Sequence, residues 1–349
     1  MSNRVINILV PIISVILGLI VGAIVMVASG YSPVDGYIAL WNGIFGDSYT
    51  IGETIRQITP YILAGLAVAF AFRTGLFNIG VEGQLIMGWV AATYVGFAIE
   101  GLPKFIHLPL TLLAAAAAGA FWAFIAGVLK ARFSVHEVIA TIMLNYIALH
   151  ITNAFIRYLS DGGDRTDKIQ ESASLRSTWL EQMTEYSRLH WGIIVALIMV
   201  VVMWFILERT TRGFELKAVG FNQHAAEYSG MNVKKNIILA MTISGLFAGL
   251  AGAMEALGTF GYASIKGGFT GIGFDGIAVA LLGANTPLGV VFGASLFGSL
   301  KFGALNMPNE AGIPVELVEI IIALIIFFVA CGYVIRILLE KFGSKKEGK

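Results

Sequence analysis

The sequence predicts an all-α polytopic membrane protein with about ten transmembrane helices. Hydrophobic residues make up 57% of the 349 residues and charged residues only 13%, about half the usual charged share of a soluble protein. The mean hydropathy is +0.81, and the apolar residues fall into runs of about 20, the length that crosses a bilayer. The net charge of +1 gives no electrostatic reason to expect a nucleic-acid partner.

The first half of the chain contains five long apolar runs. Residues 5–28 are too many for a signal peptide and are followed by further membrane segments, so we interpret them as the first span. A short amphipathic segment, 37–45, is expected to lie on the outer surface. The other four predicted spans of this half are 54–72, 79–99, 108–129 and 135–159.

The second half repeats this organisation after a long hydrophilic outer loop, 160–190. Its run 274–282 is too short to cross a bilayer alone. The five predicted spans are 191–207, 237–257, 274–282, 288–305 and 315–339. Most of the 23 Lys and Arg residues fall on the side that holds both termini, so the positive-inside rule places both termini in the cytoplasm.

Two glycine-rich stretches, Gly75–Gly83 and Gly268–Gly276, match each other in register. The aligned pairs are Gly75 with Gly268, Ile79 with Ile272, Gly80 with Gly273, Glu82 with Asp275, and Gly83 with Gly276. Five spans separate the copies, so the second copy would be upside down in the membrane. This pattern predicts two inverted five-helix repeats, about 5–159 and 191–339, with broken or short helices at the two stretches.

Unwound backbone inside a membrane is tolerated only where protein or a wet cavity surrounds it. We therefore predict that polar residues near the two stretches line a translocation pathway or support it, with Glu82 and Asp275 accepting hydrogen bonds from amides of the broken helices. For Asn145, an interhelical hydrogen bond is an equal alternative. A competing interpretation makes 75–83 a simple cytoplasmic turn with Glu82 in water. The predicted pathway residues are Asn78, Glu82, Gln84, Asn145 and Asp275.

The segment 222–229 is predicted to form a short cytoplasmic helix. Asn222 is a favourable N-cap, and Gly230 is a favourable residue for the helix exit. Ala225 and Ala226 would leave a flat patch of small side chains that fits a groove in another protein. The alternative is a surface helix without a partner.

The stretch "HAAEYSG", from His224 to Gly230, resembles the E-A-A-x-x-x-G cytoplasmic loop of ABC importer permeases, with His224 in place of the Glu. The whole chain resembles permeases of the ribose, nucleoside and branched-chain amino acid importers, over about residues 5–340. The stretches that are most similar to bacterial nucleoside importers are Gly75–Gln84, His136–Ala148 and Ala218–Met231.

This resemblance implies a single permease domain, 1–349, in the inner membrane of a bacterium, moving nucleosides into the cytoplasm. It implies three partners: a second, non-identical permease, an ATPase with two nucleotide-binding halves, and an extracytoplasmic substrate-binding lipoprotein. The residues expected to couple this chain to the ATPase are Asn222, His224, Ala225, Ala226, Glu227 and Gly230.

Catalytic chemistry is not expected in this chain. It has no G-x-x-x-x-G-K-[ST] phosphate loop, no His/Cys metal spacing and no nucleophile constellation, so ATP is expected on the partner ATPase and no cofactor or metal is predicted. Three alternatives stay open: an ion-coupled secondary transporter of a small polar metabolite, a passive channel, and a permease for ribose-type sugars. Neither of the first two accounts for the segment Gly220–Asn236.

Overall fold

The computed structural model describes residues 3–332. These residues form fifteen α-helices, and a π-helical turn, Glu255–Phe260, directly follows α11. The helices are α1 (Asn3–Ala28), α2 (Pro33–Phe45), α3 (Ser48–Arg73), α4 (Val81–Ala98), α5 (Lys104–Phe133), α6 (Glu137–Leu159), α7 (Thr178–Met183), α8 (Gly192–Arg209), α9 (Thr211–Phe221), α10 (Gln223–Tyr228), α11 (Val233–Met254), α12 (Ile272–Leu282), α13 (Pro287–Gly303), α14 (Met307–Ala311) and α15 (Val315–Ala330).

Six helical segments of the described chain are long and apolar enough to cross a membrane. Five are α3, α5, α6, α8 and α11 with its π-turn, and the sixth is the segment Pro287–Ala311. As predicted, α12 is too short to cross alone, with 11 residues. The predicted last span, 315–339, extends beyond the described residues. The all-helical membrane class is confirmed, whereas the count of ten spans and the inverted repeat stay predictions.

The chain divides into two compact units. In the first, which comprises residues up to Thr54 and from Gly298 onward, α1 packs along α15 and α2 packs on α14. Tyr37 Oη donates to the Leu19 carbonyl and ties α2 to α1. The amphipathic helix predicted at 37–45 is present and is four residues longer at its start.

The core of the second unit, Ile55–Phe297, is a three-helix contact of α4, α5 and α11. Three glycines bring the helix backbones together: a Cβ at Gly119 would lie 2.6 Å from Gly249 Cα, and a Cβ at Gly88 would overlap the backbone of the same Gly249. Water cannot drive helices together inside lipid, so close packing of small residues supplies much of the association.

Replacing Gly119 with valine should therefore lower the amount of folded protein in the membrane at least severalfold. The added side chain would collide with the backbone of α11, and backbone cannot move aside without opening the core. Ala117→Val is the matched control, since Ala117 lies on the exposed face of the same helix. Quantitative fluorescence-detected size-exclusion of detergent extracts measures both. Equal recovery of the two variants would contradict this packing.

Candidate functional site

The chain leaves the helix after α3 and runs into the protein as a non-helical segment before α4 begins. Leu76 N donates to Ala71 O at 2.9 Å, and Gly75 turns the chain with a φ of +75°, a conformation that favours glycine. Leu76, Asn78 and Glu82 are buried. Protein therefore surrounds these three side chains, and the interpretation as a turn with Glu82 in water is wrong because the exposed fraction of Glu82 is 0%.

The Glu82 carboxylate binds the segment that leads into α12. Its Oε1 accepts from Thr270 N and Thr270 Oγ1, both at 2.6 Å, and from Gly271 N at 3.1 Å, while Oε2 accepts from Gly273 N at 2.7 Å. The first turn of a helix has amides without intrahelical partners, and an anion there is stabilised by these donors and by the helix dipole. Glu82 thus satisfies the amides at the start of α12.

The two matched glycine-rich stretches therefore meet in space. A Cβ at Gly273 would overlap the backbone of Val81 and Glu82, so the approach requires glycine at this position. Glu82 was predicted to accept from the amides of a broken helix. Its amide partners belong to the second stretch rather than to its own.

A network of buried amide side chains holds the first stretch from behind. Asn78 Nδ2 donates to Gln84 Oε1 at 2.9 Å and to Ser244 Oγ at 2.8 Å, and Gly80 N donates to Asn78 Oδ1 at 2.9 Å. Ser244 Oγ donates to Ala67 O at 2.6 Å. The network joins α3, α4 and α11 and gives the non-helical backbone partners that water would otherwise supply.

Asn145, on α6, binds the same stretch from the opposite side. Gly83 N donates to Asn145 Oδ1 at 2.8 Å, and Asn145 Nδ2 donates to Ile79 O at 3.1 Å. Asn145 is buried, with 1% exposure. The two alternatives for Asn145 were lining of the pathway and an interhelical hydrogen bond. In the described chain its side chain makes the hydrogen bonds and does not reach an exposed surface.

The last predicted pathway residue, Asp275, accepts from Tyr61 Oη at 3.2 Å. Tyr61 lies twelve residues before the end of α3, which is about 18 Å of helix. That end carries a charged cluster, in which Glu208 accepts from Arg73 at 2.6 Å and from Lys217 at 2.9 Å. Tyr61, and with it Asp275, thus lies more than half the thickness of a hydrocarbon layer, about 30 Å, away from this charged end.

The predicted short helix is present as α10. Asn222 Oδ1 accepts from Ala225 N at 3.0 Å and caps the helix start, and Gly230 has a φ of +82° at the helix exit, as favoured for glycine at that position. Asn232 then caps α11 by accepting from Lys235 N at 3.0 Å. Two capping asparagines, ten residues apart, thus fix where α10 and α11 begin.

Exposure along α10 corrects one part of the predicted patch. Ala225 is exposed, but Ala226 is buried, with 4% exposure, because it faces the chain's own helices. Two aromatic side chains here are almost fully exposed: Phe221, the last residue of α9, at 90%, and Tyr228, the last residue of α10, at 96%. The exposed coupling candidates are Asn222, His224, Ala225, Glu227 and Gly230.

The helix that leads to α10 contacts the first glycine-rich stretch backbone to backbone. A Cβ at Gly75 would lie 2.6 Å from Gly220 Cα, and a Cβ at Gly220 would lie 2.8 Å from Gly75 N. Sequence reasoning missed this contact, since no pattern links the two positions. It connects the end of α9, which the predicted coupling residues follow directly, with the stretch that contains the predicted pathway residues Asn78 and Glu82.

Glu215 fixes α9 to α11 at the charged end of the unit. Its carboxylate accepts from Asn236 Nδ2 at 3.3 Å and from Arg212 Nη1 at 2.9 Å. The hydrogen bond from Asn236 holds the pKa of the Glu215 carboxyl below its usual range. Glu215 therefore stays ionised at neutral pH and keeps both partners.

Known proteins are similar in sequence to this chain over almost its whole length. A family described as the permease component of the branched-chain amino acid transport system matches residues 50–330. The guanosine ABC transporter permease protein NupP of Bacillus subtilis is 66% identical over 99% of both chains. The nucleoside ABC transporter permease protein NupB of Lactococcus lactis is 40% identical over 98% of this chain and 95% of the relative.

A second permease from Bacillus subtilis matches more distantly. The guanosine ABC transporter permease protein NupQ is 32% identical over 72% of this chain and 80% of its own length. These relatives are membrane permeases rather than enzymes, in agreement with the absence of a phosphate loop in this sequence. Because its helices are apolar and residues 50–330 match this family, the chain belongs to the permease-component family of the branched-chain amino acid transport system.

Proposed function

We propose that this chain is the membrane-spanning permease subunit of an ATP-binding cassette importer that carries nucleosides into the cytoplasm. The observation that carries the substrate class is the 66% identity, over 99% of both chains, with a guanosine permease. ATP hydrolysis belongs to a separate ATPase with two nucleotide-binding halves, and a substrate-binding lipoprotein delivers the nucleoside outside the bacterial inner membrane. Both termini lie in the cytoplasm, where basic residues are favoured.

The second permease of the transporter is a different chain. Bacillus subtilis has two proteins that match this one, NupP and NupQ, both described as guanosine ABC transporter permeases. Two related but non-identical permeases for one substrate support a heterodimeric pore. This chain would take the place of NupP, to which its identity is twice as high.

The proposed contact with the ATPase, through which ATP hydrolysis would drive this chain, is α10 together with the neighbouring Phe221. Phe221 and Tyr228 are large aromatic side chains exposed on the protein surface, a feature that marks interaction sites. Aromatic side chains that become buried in a protein interface carry much of its binding energy. Movement imposed on α10 would pass along α9 to the backbone contact of Gly220 with Gly75. That contact leads directly to the stretch that Glu82 joins to α12.

The two glycine-rich stretches are proposed to be the breaks of two inverted repeats. Each follows a helix rich in small residues, α3 or α11, and each leads into a new helix, α4 or α12. Their contact through Glu82 supports this proposal because transporter sites form where such repeats meet.

Uptake in cells tests the substrate class. In a strain that lacks its own nucleoside transporters, expression of this permease with its partner subunits should give accumulation of radiolabelled guanosine. Excess unlabelled nucleosides should compete, and excess ribose should not. An ATPase partner with a disabled phosphate-loop Lys is the control and should stop accumulation. Competition by ribose equal to that by guanosine would favour a sugar permease, and uptake that persists with the disabled ATPase would favour ion coupling.

A further inference from the structure

One face of α6 is exposed along the whole helix and, unlike the exposed face of α8, carries ionisable side chains among its apolar ones. Tyr146 and His150 lie on it one turn apart, and Arg157 lies near its end. The exposed side chains of α8 between Ile194 and Phe205 are all apolar, as lipid contact requires. The α6 face is therefore a different kind of surface.

His150 lies at the centre of this face. It is two residues beyond Ala148, the midpoint of α6, and thus within about 3 Å of the middle of the helix. Ionisable side chains at this depth are rarely placed against lipid, because their desolvation is unfavourable, and they face other protein or a water-filled cavity. The position of His150 therefore argues against lipid on the α6 face.

A non-helical segment beside α6 leads to the same conclusion independently. Gly267, Gly268 and Thr270 are exposed, although they lead into α12, whose Asp275 is bonded to Tyr61, about 18 Å along α3 from the charged end at Arg73. Asn153 holds this segment on α6 by donating to Lys266 O at 2.8 Å and accepting from Lys266 N at 3.0 Å. Exposed non-helical backbone does not occur against lipid in the hydrocarbon layer.

An aromatic cluster joins the two elements. The ring of Phe269 meets Tyr146 edge to face, with centroids 5.0 Å apart and an interplanar angle of 68°. Phe269 in turn meets Phe274 edge to face at 5.5 Å. Tyr146 is still 51% exposed, so its ring is fixed from one side and open on the rest of its surface.

We propose that Tyr146, His150 and the segment 267–270 form the wall of the substrate route in this subunit, with Tyr146 as the ring on which the nucleobase stacks. The inference rests on the proposed function for its substrate class. Stacking on an aromatic side chain suits a permease for several nucleosides, since every base has a flat π-face. His150, one turn further along, can exchange hydrogen bonds with the sugar hydroxyls.

Thiol labelling tests the wall without reference to the substrate. Cys331 is the single cysteine of the sequence, so Cys331→Ser removes every thiol from this chain, and labelling is measured on this chain after the subunits are separated. In the assembled transporter, a charged methanethiosulfonate reagent should modify His150→Cys and Thr270→Cys. Leu197→Cys, in an exposed apolar position of α8, is the control and should stay unmodified. If neither His150→Cys nor Thr270→Cys is modified, the proposal is overturned, and the result indicates that the second permease covers this face.

Uptake variants test the stacking ring. Tyr146→Ala should lower guanosine uptake about tenfold at subsaturating substrate, the size expected for loss of one base-stacking contact, whereas Tyr146→Phe should retain it. Tyr158→Ala is the control, because Tyr158 is 80% exposed at the end of the same helix. Normal guanosine uptake by Tyr146→Ala would overturn the stacking role. If the wild-type transporter carries no nucleoside while the wall cysteines still react, the proposed function fails and the wall stands.

Discussion

Replacing Glu82 with alanine should reduce both the amount of this protein in the membrane and the transport rate of the molecules that remain. The substitution removes the acceptor of four hydrogen bonds, three of them from backbone amides of Thr270, Gly271 and Gly273. A buried donor left without a partner costs about 1–3 kcal/mol. Because these donors lie at the start of α12, we expect the loss to loosen the contact between the two glycine-rich stretches.

One further variant separates loss of side-chain size from loss of the carboxylate. Glu82→Gln keeps the size of the side chain but offers a single acceptor oxygen, and its NH2 group would face another donor. Its abundance and transport should fall between those of the wild type and Glu82→Ala. Glu100→Ala is the matched control, since Glu100 is exposed just after α4. Immunoblots of membranes give abundance, and guanosine uptake per molecule gives transport. Wild-type values for Glu82→Ala in both measurements would refute the bracing role.

Local sequence patterns were sufficient to predict most of the long helices and the non-helical segment before α4. Apolar runs of membrane length, followed by the glycines at 75, 80 and 83, predict where helix stops and starts again. The register match also pointed to Glu82 and Asp275 as equivalent residues. In the structure their partners differ: Glu82 binds backbone amides of the other stretch, and Asp275 accepts from Tyr61. Pairing between distant segments is a tertiary property that spacing within one segment does not encode.

Which side of a helix faces outward was the hardest feature to predict. Asn145 and Tyr146 are neighbours in sequence, yet the first is buried in the contact with α4 and the second is 51% exposed. In a membrane helix both faces are apolar, so the usual amphipathic signal is weak. The spacing of Tyr146 and His150, one turn apart on α6, was the available sign of a polar face.

The small size of α10 explains why Ala225 and Ala226 were predicted to share one surface. Six residues make less than two turns, too few for a periodic pattern to fix the buried side. With Ala226 at 4% exposure, a glutamate there would disturb the chain's own packing as well as any partner contact. A test of the ATPase contact therefore requires Ala225, which is exposed on the same helix.

Replacing Ala225 with glutamate should abolish binding of the ATPase and substrate uptake while leaving the permease at its normal abundance. Ala225 is the third residue of α10 after its cap, and Asn222 Oδ1 accepts from its amide. Glutamate is favourable at this position because it completes a capping box and complements the helix dipole. The helix should thus persist, and the new side chain would add volume and charge only to the surface proposed to enter the ATPase groove.

Recovery of the ATPase on an affinity-tagged permease, together with uptake in the same membranes, measures this effect. Gln182→Glu adds the same charge at an exposed position of α7 and should bind the ATPase normally. Gly230→Val should weaken binding less completely, since a branched side chain strains the φ of +82° at the exit of α10. Removing the exposed ring with Tyr228→Ala should lower recovery without adding any charge. If Ala225→Glu recovers as much ATPase as Gln182→Glu, α10 is not the contact, and ion-coupled transport becomes the better account of this pore.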